Sequence, residues 1–255
     1  NADIYAFLHA PLRFGRDAEK APRQTVGLYE TSAKIYTAVK GLLNAVLLVA
    51  VPRLAYFFGK NDMDSFRKLI GSIFKAVIIM VFPAITGLFM ISRNVILLAA
   101  GEEYLGGVNS LRILSIALLF AVTATVYVAG VLTNLRRDKV IFQVTAISAL
   151  LNVVLNLFMI PWLGQDGAAI TTLIAELSVT VLSMRKCKDV VDWKVASSVI
   201  PRTAAGCICI ALVCITVSYF SLPLGWDTCI KIAGSAGLYY AINRKQILDW
   251  QKNGL

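Results

Sequence analysis

Seven runs in this chain are apolar and long enough to be membrane helices: Ile35–Phe58, Leu69–Ser92, Leu111–Thr133, Val140–Ile160, Ala168–Met184, Val199–Phe220 and, more weakly, Thr228–Ile242. Crossing the ~30 Å hydrocarbon core takes about 20 mostly apolar residues. A soluble all-helical protein would have to bury seven such helices with little amphipathic surface. The expected fold is therefore all-α, a polytopic membrane bundle of about seven transmembrane helices.

The connections between the runs alternate in charge. Arg53, Lys60, Arg67 and Lys68 flank the first connection, Arg136, Arg137 and Lys139 the third, and Arg185, Lys186, Lys188 and Lys194 the fifth. Arg244, Lys245 and Lys252 follow the last run. Of the intervening connections, Ser92 to Leu111 holds only Arg93, and the other two hold no Lys or Arg. Short basic loops stay in the cytoplasm, so the first run enters from outside and the C-terminus lies inside. The formal charge of +10 is then a topology signal with anionic headgroups at hand, and nucleic acid is not expected as a partner.

The start of the chain fits this pattern poorly. Pro11 to Thr25 carries Arg13, Arg16, Lys20 and Arg23 on the side read as outside. No signal-peptide pattern opens the chain, and Asn1–Ala10 reads as the remnant of a preceding helix. The expected division is 1–25 as remnant and polar extracytoplasmic segment, 26–184 as a five-helix core, and 185–255 as the last two helices with a cytoplasmic tail.

Metal and nucleophile chemistry finds little support. His9 is the only histidine and lies outside the runs. Cys207 and Cys209 are two apart on a helix and point away from each other. Asp62-Met63-Asp64 has the spacing of a metal–nucleotide-sugar motif, but in a short hairpin it reads as a helix start with Asp64 as N-cap. No cofactor, metal site or catalytic residue is expected, and the chain reads as a carrier rather than an enzyme.

Polar residues within the runs fall into stripes. Thr145, Ser148, Asn152 and Asn156 lie on one face of the fourth run, Thr172, Glu176 and Thr180 on one face of the fifth, and Tyr36, Lys40 and Asn44 on one face of the first. Polar groups facing lipid are costly, so these stripes face other helices or a wet cavity. Glu176 is the carboxylate farthest from either interface and requires a partner, water or a proton; it is the candidate for ion coupling, with Lys75 or Arg202 as prospective partners. Lys40, Asn44, Lys75, Arg112, Asn152, Asn156 and Arg202 are the candidate lining of a substrate path. Pro83, near the middle of the second run, is the candidate hinge. Asn94–Ala100 is too short to cross and reads as an interfacial helix ended by Gly101.

Three segments carry a family resemblance. The first runs from Val26-Gly27-Leu28-Tyr29-Glu30 through Lys34-Ile35-Tyr36 to Val51-Pro52-Arg53-Leu54 and Gly59-Lys60-Asn61-Asp62. The second is Gly101-Glu102-Glu103-Tyr104 with Leu111-Arg112-Ile113-Leu114. The third is Asn152-Val153-Val154-Leu155-Asn156, Ile160-Pro161, Gly164, Gly167-Ala168-Ala169 and Glu176-Leu177. In order and spacing they resemble the C-terminal half of bacterial polysaccharide flippases, the O-antigen and capsule exporters of the multidrug/oligosaccharidyl-lipid/polysaccharide superfamily. The resemblance implies an inner-membrane transporter of twelve or fourteen helices in two halves, of which this chain would be the second. It implies a lipid-linked oligosaccharide on undecaprenyl pyrophosphate as cargo, moved by alternating access for surface polysaccharide or lipopolysaccharide synthesis. The missing N-terminal half, membrane lipids and polysaccharide polymerase machinery would be its partners. A multidrug or peptidoglycan-precursor exporter of the same superfamily, or an inactive half-transporter fragment, are the alternatives.

Overall fold

The computed structural model describes residues 16–191, 198–220 and 222–253. These residues form six helical units: α1 (Arg16–Gly59), α2 (Met63–Ala100), α3 (Val108–Thr125), α4 (Asp138–Lys186), α5 (Ile200–Ser218) and α6 (Leu224–Asn253). A 3-10 turn, Glu102–Gly107, leads into α3, and a π-helical segment, Val126–Leu132, continues it.

Helix α4 has 49 residues, far more than the ~20 one crossing requires. It is broken at Gly164, whose φ of 56° and ψ of −130° suit only a residue without a side chain. Its limbs, 138–163 and 165–186, fold back as an antiparallel hairpin. Ser148 Oγ donates to the Ala175 carbonyl at 2.8 Å and Thr171 Oγ1 to Asn156 Oδ1 at 2.5 Å. Gly167 permits the close turn, because a Cβ there would overlap the Met159 carbonyl. Counting the limbs separately, seven helical segments coincide with the seven apolar runs.

By length and apolarity, α2, the Glu102–Leu132 unit, α4 and α5 qualify as membrane spans among the described residues, and α1 joins them as two parts bent by 45°. Helix α6, the weakest of the seven runs, falls short of that measure. The protein is a multi-pass, all-helical membrane protein.

Helix α3 is the central post. Leu111, Leu114, Ala117, Leu118, Ala121 and Val122 are all but inaccessible, and α1, α2 and α4 pack around them. Helices α5 and α6 pair with each other and dock on α2, on the far side from α4. The first limb of α4 shows the opposite pattern, with Phe142, Leu150, Leu157 and Phe158 exposed. Apolar side chains on the outside of a bundle suit a lipid environment and not water.

Two local expectations are corrected. Asp62, not Asp64, caps α2: its carboxylate accepts from the Ser65 N–H at 3.0 Å, and Asp64 sits in the first turn. Asn94–Ala100 is not a separate interfacial helix but the last two turns of α2, since nothing between Ser92 and Asn94 breaks the helix. Gly101, at φ 89°, does end it, with its N–H on the Ile96 and Leu97 carbonyls. Of the leading segment, 1–15 lies outside the described residues together with His9, and α1 is already helical from Arg16.

Candidate functional site

The two stripes that carry charge meet. Lys40 Nζ on α1 lies 2.6 Å from Glu176 Oε1 on the second limb of α4. Tyr36 Oη donates to the same oxygen at 3.1 Å. One turn outward Tyr29 Oη bonds Thr172 Oγ1 at 3.0 Å. Lys40 Nζ also stands 5.7 Å from the centre of the Tyr36 ring. The site is therefore a ladder of polar contacts between two apolar helices, with one ion pair at its centre. Its side chains keep 27% and 19% of their surface open, so the pair is sheltered but reachable.

This arrangement answers the partner question for Glu176. Among the described residues its ion-pair partner is Lys40, and not Lys75 or Arg202. Lys75 is half-buried on α2, and Arg202 is exposed in the first turn of α5. Asn44 lies one turn below Lys40, and its buried Oδ1 has no hydrogen-bond partner among the described residues.

The fourth-run stripe forms a second cluster. Asn156 Nδ2 donates to Asn152 Oδ1 at 3.0 Å, and Asn156 Oδ1 accepts from Thr171 Oγ1. The Thr171–Asn156 bond ties the two limbs of the α4 hairpin together, while Asn152 and Asn156 share the first limb. Thr145 turns back onto the Ile141 carbonyl of its own helix. Thr180 donates to the Phe120 carbonyl of α3 at 2.8 Å.

The remaining charges sort to the two ends of the bundle. At the basic end Arg137 Nη2 lies 2.6 Å from Asp189 Oδ2, and Nη1 donates to the Lys186 carbonyl at 2.8 Å. That hydrogen bond holds the Asp189 carboxyl below its usual range and the Arg137 guanidinium above its own. Burial beside them pushes the Cys187 thiol up to about 11, so it is a packing residue and not a nucleophile. At the opposite end Ser110 donates to Asp166 at 2.6 Å, and Asn94 donates to Asp227 at 2.6 Å and to Thr228 at 2.9 Å. Lys231 completes that group at 2.7 Å from Asp227. Arg112 donates to Ser92 at 3.1 Å and lies over the Phe89 ring. Among the described residues no three His, Cys, Asp or Glu side chains come together.

The family profile described as "Lipid II flippase MurJ" matches residues 21–233, most of the chain. The chain belongs to the MurJ family of lipid flippases. A curated relative, the "Probable low-salt glycan biosynthesis flippase Agl15" of Haloferax volcanii, is 25% identical over 169 residues, which cover 66% of this chain and 36% of that protein. A solved structure, "Lipid II flippase MurJ, inward closed conformation", superposes with a TM-score of 0.67 at 14% identity, over 88% of this chain and 48% of that one. At that identity the structural likeness shows the fold alone. The chain spans about a third to a half of the length of these proteins. The superfamily resemblance thus narrows to a MurJ-family flippase.

Tyr29 and Tyr239 escaped the sequence reading. Tyr29 had a signal: it precedes Tyr36 by two helical turns and extends the Tyr36–Lys40 stripe. Tyr239 lies within the weakest run, and its role depends on a neighbour that only the fold supplies.

Proposed function

We propose that this chain is part of a flippase that moves an oligosaccharide on a polyprenyl pyrophosphate, undecaprenyl in a bacterium, from the inner to the outer leaflet of the cytoplasmic membrane. It transports its cargo and catalyses no bond-making step. Its C-terminus lies in the cytoplasm, the other half of the transporter is its partner, and polymerase machinery takes over the cargo outside.

The observation that carries this reading is the Lys40–Glu176 pair, partly open and held between two apolar helices of a lipid flippase family. A pyrophosphate head entering a low-dielectric path needs a cation to offset its dehydration. Lys40 is that cation, and Tyr29, Tyr36 and Thr172 present hydroxyls suited to sugars. In the present arrangement Glu176 occupies Lys40, so the head group must displace the carboxylate. A displaced Glu176 then takes up a proton or a sodium ion, which is how it couples transport to a gradient.

A second reading has equal support from the family profile, namely a peptidoglycan precursor as cargo. Multidrug export fits less well, because cationic drugs favour acidic paths and Lys40, Lys75, Arg112 and Arg202 are cations.

The test uses the full-length protein in proteoliposomes. Lys40→Ala is expected to reduce flipping of a lipid-linked pyrophosphoryl oligosaccharide at least tenfold, with membrane expression unchanged. Glycan analysis of a deletion strain, with a search for accumulated lipid-linked units, separates the two cargoes. Full activity of Lys40→Ala would overturn the site.

A further inference from the structure

Pro83 lies inside helix α2 and brings no backbone N–H. The carbonyl four residues earlier, Ile79, therefore loses its helical donor. In an apolar bundle such an acceptor has to find another partner. Tyr239 of α6 is that partner: its hydroxyl donates to the Ile79 carbonyl at 2.6 Å, and both residues are 7% exposed. The contact joins residues 160 apart in the chain.

The tyrosine is itself firmly seated. Gly206 of α5 presents no side chain, and a Cβ there would come within 2.7 Å of the Tyr239 ring carbons. Asn243, fully buried one turn on, donates to the Tyr239 carbonyl at 3.2 Å. Pairing of α5 with α6 thus fixes the ring, and the ring fixes the carbonyl that proline released. Nearer the opposite end, Asn94 ties the last turns of α2 to Asp227 and Thr228 of α6. The part of α2 beyond Pro83 is therefore attached to α6 through Asn94, and the part before it, packed in the core around Phe66, Ile70 and Phe74, through the Ile79 carbonyl.

Beside this bond lies empty space. A cavity of about 370 Å³, almost wholly apolar, is lined by Leu43 of α1, Ala76, Met80 and Pro83 of α2, and Tyr239 and Ile247 of α6. A helix that bends needs room on one side, and α2 has that room at its proline.

We propose that Tyr239 is a positioning residue for transport. Its hydroxyl replaces the hydrogen bond that Pro83 removes and ties α6 to α2 just before the proline; with Asn94 tying α6 to α2 beyond it, α6 sets the angle of α2 at that point. Breaking this bond lets α2 bend into the cavity. The purpose assigned to the motion rests on the flippase reading; the latch itself does not.

The experiment is a double-mutant cycle on the full-length protein in a cysteine-free background, with spin labels at Lys68 and Leu98, both exposed on α2 on either side of Pro83. Tyr239→Phe keeps the ring and removes the hydroxyl. It is expected to broaden the Lys68–Leu98 distance distribution toward shorter values and to slow flipping about tenfold, the effect of one lost buried hydrogen bond. Pro83→Ala restores a backbone N–H to Ile79, so Tyr239→Phe added to Pro83→Ala should change neither the distances nor the rate further. Two results overturn the proposal: an unchanged distribution in Tyr239→Phe, or a Tyr239→Phe effect that persists in full on the Pro83→Ala background. The distances need no substrate. Distances that follow the cycle in a protein that flips nothing would uphold the latch and count against the flippase reading alone.

Discussion

Among the described residues two ion pairs are sheltered within the helical body, and they are built differently. Lys231 and Asp227 are one turn apart on α6 and expose only 8% and 13% of their side chains, and Asp227 also accepts from Asn94, which donates to Thr228 as well. Lys40 and Glu176 lie 136 residues apart on different helices, are more open at 27% and 19%, and meet at one oxygen that also accepts from Tyr36. The first pair is closed by its neighbours and fastens α6 to α2. The second holds α1 against α4 with charges that an incoming anion or cation can reach. A buried pair that is fully satisfied rigidifies, whereas a reachable pair is exchangeable.

The largest effect should come from breaking the closed pair. Lys231→Ala strands the Asp227 carboxylate among buried groups, and loss of one partner of such a pair costs about 3 kcal/mol or more. Detergent-solubilised protein should show a clear fall in Tm and a loss of monodisperse material. A thermally silent Lys231→Ala would erase the distinction between the two pairs.

Next comes Glu176→Gln, which keeps shape and hydrogen bonding but removes the charge that holds Lys40. Flipping under an imposed pH or sodium gradient should lose its dependence on that gradient, while Tm changes far less than in Lys231→Ala. Glu176→Leu should do harm in both assays. An unchanged gradient response in Glu176→Gln would assign the pair to the scaffold.

A smaller effect is expected at the hairpin of α4. Asn152→Ala removes the acceptor for Asn156, a polar contact one turn apart within the first limb and worth no more than the ~0.6 kcal/mol typical of hydrogen bonds between membrane helices. It should lower Tm slightly and leave the flipping rate per folded molecule intact. A rate loss without a loss of protein would move Asn152 from helix glue to the substrate path.

The smallest effect belongs to the exposed clasp at the basic end. The Asp189 carboxyl is held below its ordinary 3.8 by Arg137. A carboxyl with a depressed folded value stabilises above its unfolded value, and that stabilisation is lost as pH falls through the folded one. The pair is more than half open at Asp189, so solvent screens it strongly. Tm should therefore fall marginally faster with acid below pH 3.8 in the parent than in Asp189→Asn. Parallel Tm profiles would show that the clasp adds nothing.

The seven apolar runs were legible because membrane-length hydrophobicity leaves few other structures open, and the alternation of Lys and Arg separated the two ends before any helix was placed. The ends agree with contacts: Arg67 and Arg137 converge on Asp189, and Asp166 and Asp227 lie at the other end among Ser110 and Asn94. Stripes, too, could be read, since periodicity fixes which residues share a face. What periodicity cannot fix is which faces meet. Glu176 met Lys40 because α1 packs beside the α4 hairpin, and that adjacency is a property of the bundle. The cap at Asp62 was missed for a local reason: Asn61 takes a positive φ of 56°, which shifts the helix start back. Pro83 was visible as a missing donor, but the residue that answers for it comes from the weakest run.

The π-helical segment at the end of α3 carries a consequence of its own. Over Val126–Leu132 the chain winds more loosely than an α-helix, with Thr133 and Asn134 bonding back to the Val128, Ala129 and Gly130 carbonyls. This looser winding sets the phase of everything downstream. Each residue of an α-helix turns the next by about 100°, more than in the wider π winding, so winding these same seven residues as α-helix would rotate everything beyond them about the helix axis. Arg137 would then leave the helix on a different side and face away from Asp189. The looser winding acts as a vernier: it lets the deeply packed post, with Tyr127 against Phe74, and the basic hairpin beyond it each keep its own alignment.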